Sequence, residues 1–250
     1  SAQIYADFSG YMDIVCGLCE IWGIQLAENF QRPYFSKSIA EYWRRWHITL
    51  GEWFKTYLYY PVAVSHFARN AGKRWQKRFG GSVGKTIPAT VALLIVWLTT
   101  GLWHGASWSF VVWGGLHGLY QIIGYELRGV KDRINEQLHT KTDCLSYKLG
   151  QVLVTFCLTA FAWIFFRANS LGDAFGYIRR MFTKPDLWCL FNGELYNLGL
   201  DRVEMNVLFG SLLVLLLADL VRYFKKQQLD AFLAEQNLWF RWGVLLALIA

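Results

Sequence analysis

The chain has 250 residues, of which 54% are hydrophobic, 18% aromatic and only 17% charged. Ordinary soluble domains carry about 25% charged residues, so the composition points to a membrane protein. The formal net charge is +7, a balance that first raises nucleic-acid binding. The basic residues are concentrated, however: Arg69, Lys73, Arg74, Lys77, Arg78 and Lys85 crowd one stretch with no acidic residue among them. That is the pattern of a cytoplasmic segment beside a membrane span, and it argues against a nucleic-acid partner.

Residues 1–26 read as the first helix, with Ser9, Asp13, Cys16, Gly17 and Glu20 on one side at a spacing of 3–4. Acidic groups within a span face protein or water rather than lipid. Cys16 and Cys19 form a CxxC without a second pair at zinc-like spacing, so they read as packing residues. Residues 27–40 form a loop in which Pro33 breaks any helix. An amphipathic helix rich in Trp and basic residues follows over about 40–60, as expected at a membrane interface. On a continuous helix His47 lies one turn after Trp43 and shares the aromatic face, with Trp43 and Trp46 as interface anchors.

No Asp, Glu, Lys or Arg occurs from residue 86 to residue 125, long enough for two spans of ~20 residues. Further apolar runs give six expected spans, at about 1–26, 86–103, 106–125, 149–166, 203–223 and 240–250. Bilayers accept such segments as helices, so the expected fold class is all-α, a polytopic transmembrane bundle forming one membrane-embedded domain over 1–250. The first residue is Ser and the last lies in an apolar run, so the chain reads as a fragment lacking N-terminal helices and the extreme C-terminus. Loops 66–85, 126–148 and 224–240, with Lys225 and Lys226 beside a span, are expected on the cytoplasmic side, and 168–202 outside.

Three histidines lie in or near apolar segments: His47, His104 and His117. His104 sits near the middle of the uncharged stretch, between Trp103 and Gly105 and close to Trp108. An ionisable group in such a place is a functional candidate by default. A neutral imidazole can take the proton of a hydroxyl while its oxygen attacks an acyl carbonyl. Trp103, Trp108, Trp46 and His117 are candidates for lining a substrate tunnel. None of the three histidines is paired at i, i+4, so no metal site is expected. The chain also lacks a Gly-x-Ser-x-Gly nucleophile elbow, which favours direct transfer between donor and acceptor.

Four segments then carry a resemblance. YADFSGYMDIVCGLCEIWGIQLAENFQRPY, YWRRWHITLGEWFKTYLYYP, TGLWHGASWSFVVWGGLHG and WIFFRANSLGDAF occur in this order. Together they resemble the membrane-bound O-acyltransferases, in the branch of bacterial alginate O-acetylation, with the teichoic-acid D-alanyl transfer proteins as relatives. The likeness departs after Pro61, where the family's LGGNR-like stretch is replaced by VAVSHFARN.

The resemblance implies that His104 is catalytic and His47 the second functional position. It implies a multi-pass protein of the bacterial inner (plasma) membrane that holds no tightly bound cofactor. Its co-substrate would be a cytoplasmic acyl donor, such as acetyl-CoA or an acyl carrier. An extracytoplasmic acetyltransferase or other polysaccharide-modifying partner would finish O-acetylation of a cell-surface polysaccharide. D-alanyl or other acyl transfer to a teichoic-acid-like polymer is the alternative within the fold; a polytopic transporter or scaffold is the alternative outside it.

Overall fold

The computed structural model describes residues 1–186, 188–197, 199, 201–225 and 229–249. Lys226, and Ala250 at the end of the last expected span, lie outside the described residues. The described chain is helical, and its sole strand-like pairing is an isolated bridge between Phe30 and Trp46. It divides into two compact units, Ser1–Thr183 and Lys184–Ala250.

In the first unit, α1 (Ala2–Ile21) leads through a loop to α2 (Ile39–Arg45) and α3 (Ile48–Phe54). A π-helical turn over Lys55–Tyr59 then joins α3 to α4 (Tyr60–Ala63). Next come α5 (His66–Phe79), α6 (Gly81–His104), α7 (Trp108–Glu126), α8 (Arg128–Gln137), α9 (Leu145–Arg167) and α10 (Leu171–Thr183). Local chemistry sets the boundaries. Ser38 caps α2 by accepting from the Glu41 N–H at 3.1 Å, and Ser65 caps α5 by accepting from the Ala68 N–H at 3.2 Å. The second unit holds α11 (Arg202–Lys225), α12 (Leu229–Ala234) and α13 (Leu238–Ile249). Asp201 and Glu204 cap α11 reciprocally, each carboxylate accepting the other's N–H, at 2.8 and 3.0 Å.

Three described helices contain a segment long and apolar enough to cross a membrane: Gly84–His104, Leu145–Arg167 and Arg202–Val221. α7 is uncharged up to Glu126 but carries Gly, His and Gln. These residues lower its hydropathy and suit it to packing against protein.

Segments expected as plain loops also carry helices: α5 in 66–85, α8 in 126–148 and α10 in 168–202. In α5 the bases Arg69, Lys73 and Lys77 recur every fourth residue on one side. Ala68 and Gly72 are buried. A helix can therefore form around these charges while still packing.

The expected interfacial helix over 40–60 is interrupted. After Trp46 the backbone turns left-handed at His47, with φ 48° and ψ 55°. Residues 45–48 instead run beside 29–31: the Gln31 N–H donates to the Arg45 carbonyl at 2.9 Å, and the Ile48 N–H to the Asn29 carbonyl at 3.1 Å. His47 therefore does not follow Trp43 along one helical face.

The core lies where α2 meets α7 and α9. It is strongly aromatic, built on Tyr42, Trp46, Trp97, Trp113, Trp163 and Phe165. Trp46 stacks on Tyr42, with ring centroids 5.6 Å apart and planes 16° from parallel. α6 and α7 approach at Gly101 and Gly114, where an added Cβ would strike the carbonyls of Phe110 and Trp97 respectively. Glycine at both positions allows this backbone-to-backbone contact.

Candidate active site

His104 ends α6, and the chain reverses immediately after it. Gly105 makes the reversal with φ 156° and ψ 158°, a conformation open essentially to glycine alone. A Cβ on Gly105 would lie 2.7 Å from the Phe110 ring. Ser107 then caps α7, accepting from the Ser109 N–H at 3.3 Å. The imidazole of His104 is held by rings, Trp103 at 4.8 Å and both Trp113 and Phe166 at 5.0 Å. Gly105→Ala is expected to displace Phe110, cost about 1–3 kcal/mol, and lower turnover through the shifted wall beside His104. Thermal unfolding together with an ester assay checks both effects.

His47 approaches the same region from a different element. It shares a cavity with Val96, Trp97 and Thr100 of α6, the helix that ends at His104. The edge of its ring meets Phe8 at 4.8 Å and 87°. Its Nδ1 lies 3.3 Å from Asn29 Oδ1. Burial pushes the His47 pKa below its ordinary value, which favours the neutral ring at physiological pH.

His47 also lines a cavity of ≈ 430 Å³ whose walls include Trp43, Trp97, Val96 and Thr100, with Arg44 among its polar residues. Apolar walls with a few placed polar groups are the usual composition of a small-molecule site.

The other expected residues are distributed unevenly. His117 is fully buried and accepts from the Trp43 indole N–H at 3.1 Å. It packs among Trp43, Trp97 and Trp113 with ring centroids 4.9–5.3 Å away. Trp46, expected as an interface anchor or tunnel wall, is only 3% exposed and belongs to the core. Trp43 is likewise turned inward onto His117 and not to the interface. Trp103 and Trp108 are exposed, and of the two Trp103 touches the His104 ring.

Sequence reasoning missed Asn29, which contacts His47, and Trp113 and Phe166, which flank His104. For Trp113 the uncharged run offered a weak signal. Asn29 had none, because its partner lies 18 positions away in a loop. Among the described residues no group of three or more His, Cys, Asp or Glu converges as a metal site would require.

A profile of the membrane-bound O-acyltransferase family matches residues 1–74, a stretch that contains His47 and Asn29. The chain is 31% identical over 239 residues to "Probable alginate O-acetylase AlgI" of Azotobacter vinelandii, covering 95% of this chain and 41% of that protein. The chain belongs to the membrane-bound O-acyltransferase family. The same-named protein of Pseudomonas aeruginosa is 33% identical over 228 residues, 90% of this chain and 38% of its own length. A peptidoglycan O-acetyltransferase of Helicobacter pylori is 35% identical over 182 residues, 72% of this chain and 30% of its own. The chain thus spans less than half the length of these O-acyltransferase relatives. Both histidines of the candidate site fall on the motifs WRRWH and WHG through which the chain resembles the family.

Proposed function

We propose that this chain carries the acyl-transfer site of an O-acetyltransferase of the bacterial inner membrane, acting toward a cell-surface polysaccharide. The observation that carries the reading is a mostly apolar cavity lined by His47 and by α6, the helix that ends at His104. The names of the O-acetylating relatives support acetyl as the group and a carbohydrate polymer as the destination.

In this reading the donor is a cytoplasmic thioester, acetyl-CoA or an acyl carrier. His104 accepts the proton of the acceptor hydroxyl as its oxygen bonds to the acyl carbon. The carbon–sulfur bond then breaks, and the same proton passes from His104 to the departing sulfur. Proton count and charge balance over the step, and no covalent acyl-enzyme is needed. A positioned base of this kind contributes about 10²–10⁴-fold. His47 accepts a hydrogen bond from the hydroxyl or thiol that enters beside it. An extracytoplasmic partner protein completes delivery to the polymer.

The test is made on membranes containing the intact protein, supplied with isotopically labelled acetyl donor. Alkali-labile label on surface polysaccharide, absent from membranes of a deletion strain, is the expected result. Equal labelling in both strains would remove the assignment; no acetyl label, but protein-dependent D-alanyl esters when a labelled D-alanyl donor is supplied instead, would transfer it to the alternative polymer chemistry.

A further inference from the structure

Asn29 is buried, 8% exposed, in the loop between α1 and α2. The backbone pairing of 29–31 with 45–48 holds it opposite His47. Its side-chain oxygen accepts from the Thr49 backbone N–H at 3.1 Å and from the Thr49 hydroxyl at 2.8 Å. Its amide nitrogen faces Met12 Sδ at 3.7 Å, a weak acceptor that receives from the NH₂ group. These contacts fix which way the amide points. The Thr49 N–H is a backbone donor and can do nothing else, so the atom it meets must be the oxygen.

The consequence reaches the imidazole. An amide oxygen only accepts, so the His47 Nδ1 lying 3.3 Å from it must carry the proton. In the neutral ring the lone pair is then left on Nε2. Which nitrogen of a histidine is protonated is set by the hydrogen bond made by the other. Phe8 of α1 packs against the same ring at 4.8 Å.

We propose that Asn29 is a positioning residue, which locks His47 as the Nδ1–H tautomer and reserves Nε2 as the acceptor for substrate. This rests on the reading of His47 as a functional position. Asn29 itself need touch no substrate. It acts as the third member of a relay of orientation: Thr49 fixes Asn29, Asn29 fixes His47, and His47 faces the cavity. The same logic holds a catalytic histidine in its working tautomer in hydrolytic triads, with a neutral amide oxygen here in place of a carboxylate. An amide adds no negative charge to the site, so His47 stays uncharged while its orientation is set.

The test uses the intact protein with 15N-labelled histidine, the His47 resonances being assigned by their loss in His47→Gln. In the unaltered protein Nδ1 is expected to be the protonated nitrogen of His47. Asn29→Asp keeps the oxygen acceptor and is expected to keep that tautomer and at least about a tenth of the turnover. Asn29→Leu removes the acceptor; it is expected to give a mixture of tautomers and to lower kcat by about 10–100-fold, the order found where the partner that orients a metal-bound histidine is removed. KM should change little.

Protonated Nε2 in the unaltered protein would overturn the proposal whatever the variants do. So would Asn29→Leu with unchanged tautomer and turnover. The spectrum is read without turnover, so loss of the proposed acyl transfer would leave the tautomer assignment standing on its own.

Discussion

Replacing His104 with Ala in the intact protein is expected to lower ester-linked acyl groups on surface polysaccharide by about 10²–10⁴-fold, with insertion into the membrane unchanged. The side chain is half-buried at the end of α6, and its contacts are with ring edges, not with a hydrogen-bonded network the fold depends on. Its removal therefore takes away a proton acceptor and leaves the turn at Gly105 intact. His104→Gln should be as inactive as Ala, because an amide of similar size cannot take up the proton. Immunoblotting of membranes and alkaline release of acid from the polymer are the two measurements. Unchanged ester content in either variant would remove His104 from the chemistry and bring the transporter or scaffold reading forward.

The second large effect is on stability. Trp113 is fully buried and touches His104 at 5.0 Å, His117 at 5.2 Å and Trp163 at 5.7 Å. Phe166, at 5.1 Å, closes the group. Trp113→Ala would leave a void among rings that no single neighbour can fill, at a cost of about 3–5 kcal/mol. Whole domains are stable by only about 5–15 kcal/mol, so much of that margin would go. Trp113→Phe should lose much less, because a ring still spans the gap. Thermal unfolding of the purified protein in detergent would show the order unaltered, Phe, Ala. Equal stability of Phe and Ala would mean that the site collapses freely and that Trp113 is not the keystone of the packing.

The sequence makes some of this legible and hides the rest for identifiable reasons. The uncharged run over 86–125 foretells two long helices with a break near Gly105, because burial and backbone satisfaction are local demands on composition. His104 could be singled out on the same ground. His47 could be named but not placed. A wheel drawn over 40–60 puts it beside Trp43, whereas the pairing of Phe30 with Trp46 overrides helical periodicity at that point. That pairing joins two segments neither of which is a strand, so no period-two pattern announces it. Trp46 misleads for a related reason. A Trp near basic residues has the composition of an interface anchor, and only the arrival of α9, with Trp163 at 5.4 Å, makes it core.

The left-handed backbone at His47 carries one last implication. A non-glycine residue in that region is held at a cost of about 1–2 kcal/mol, met by the surrounding packing. Glycine at this position would relieve that strain while removing the imidazole and its contacts with Phe8 and Asn29. The backbone conformation alone favours glycine here, whereas the contacts of the side chain favour histidine. A histidine kept where the backbone would accept glycine more cheaply is the mark of a position held for its side chain.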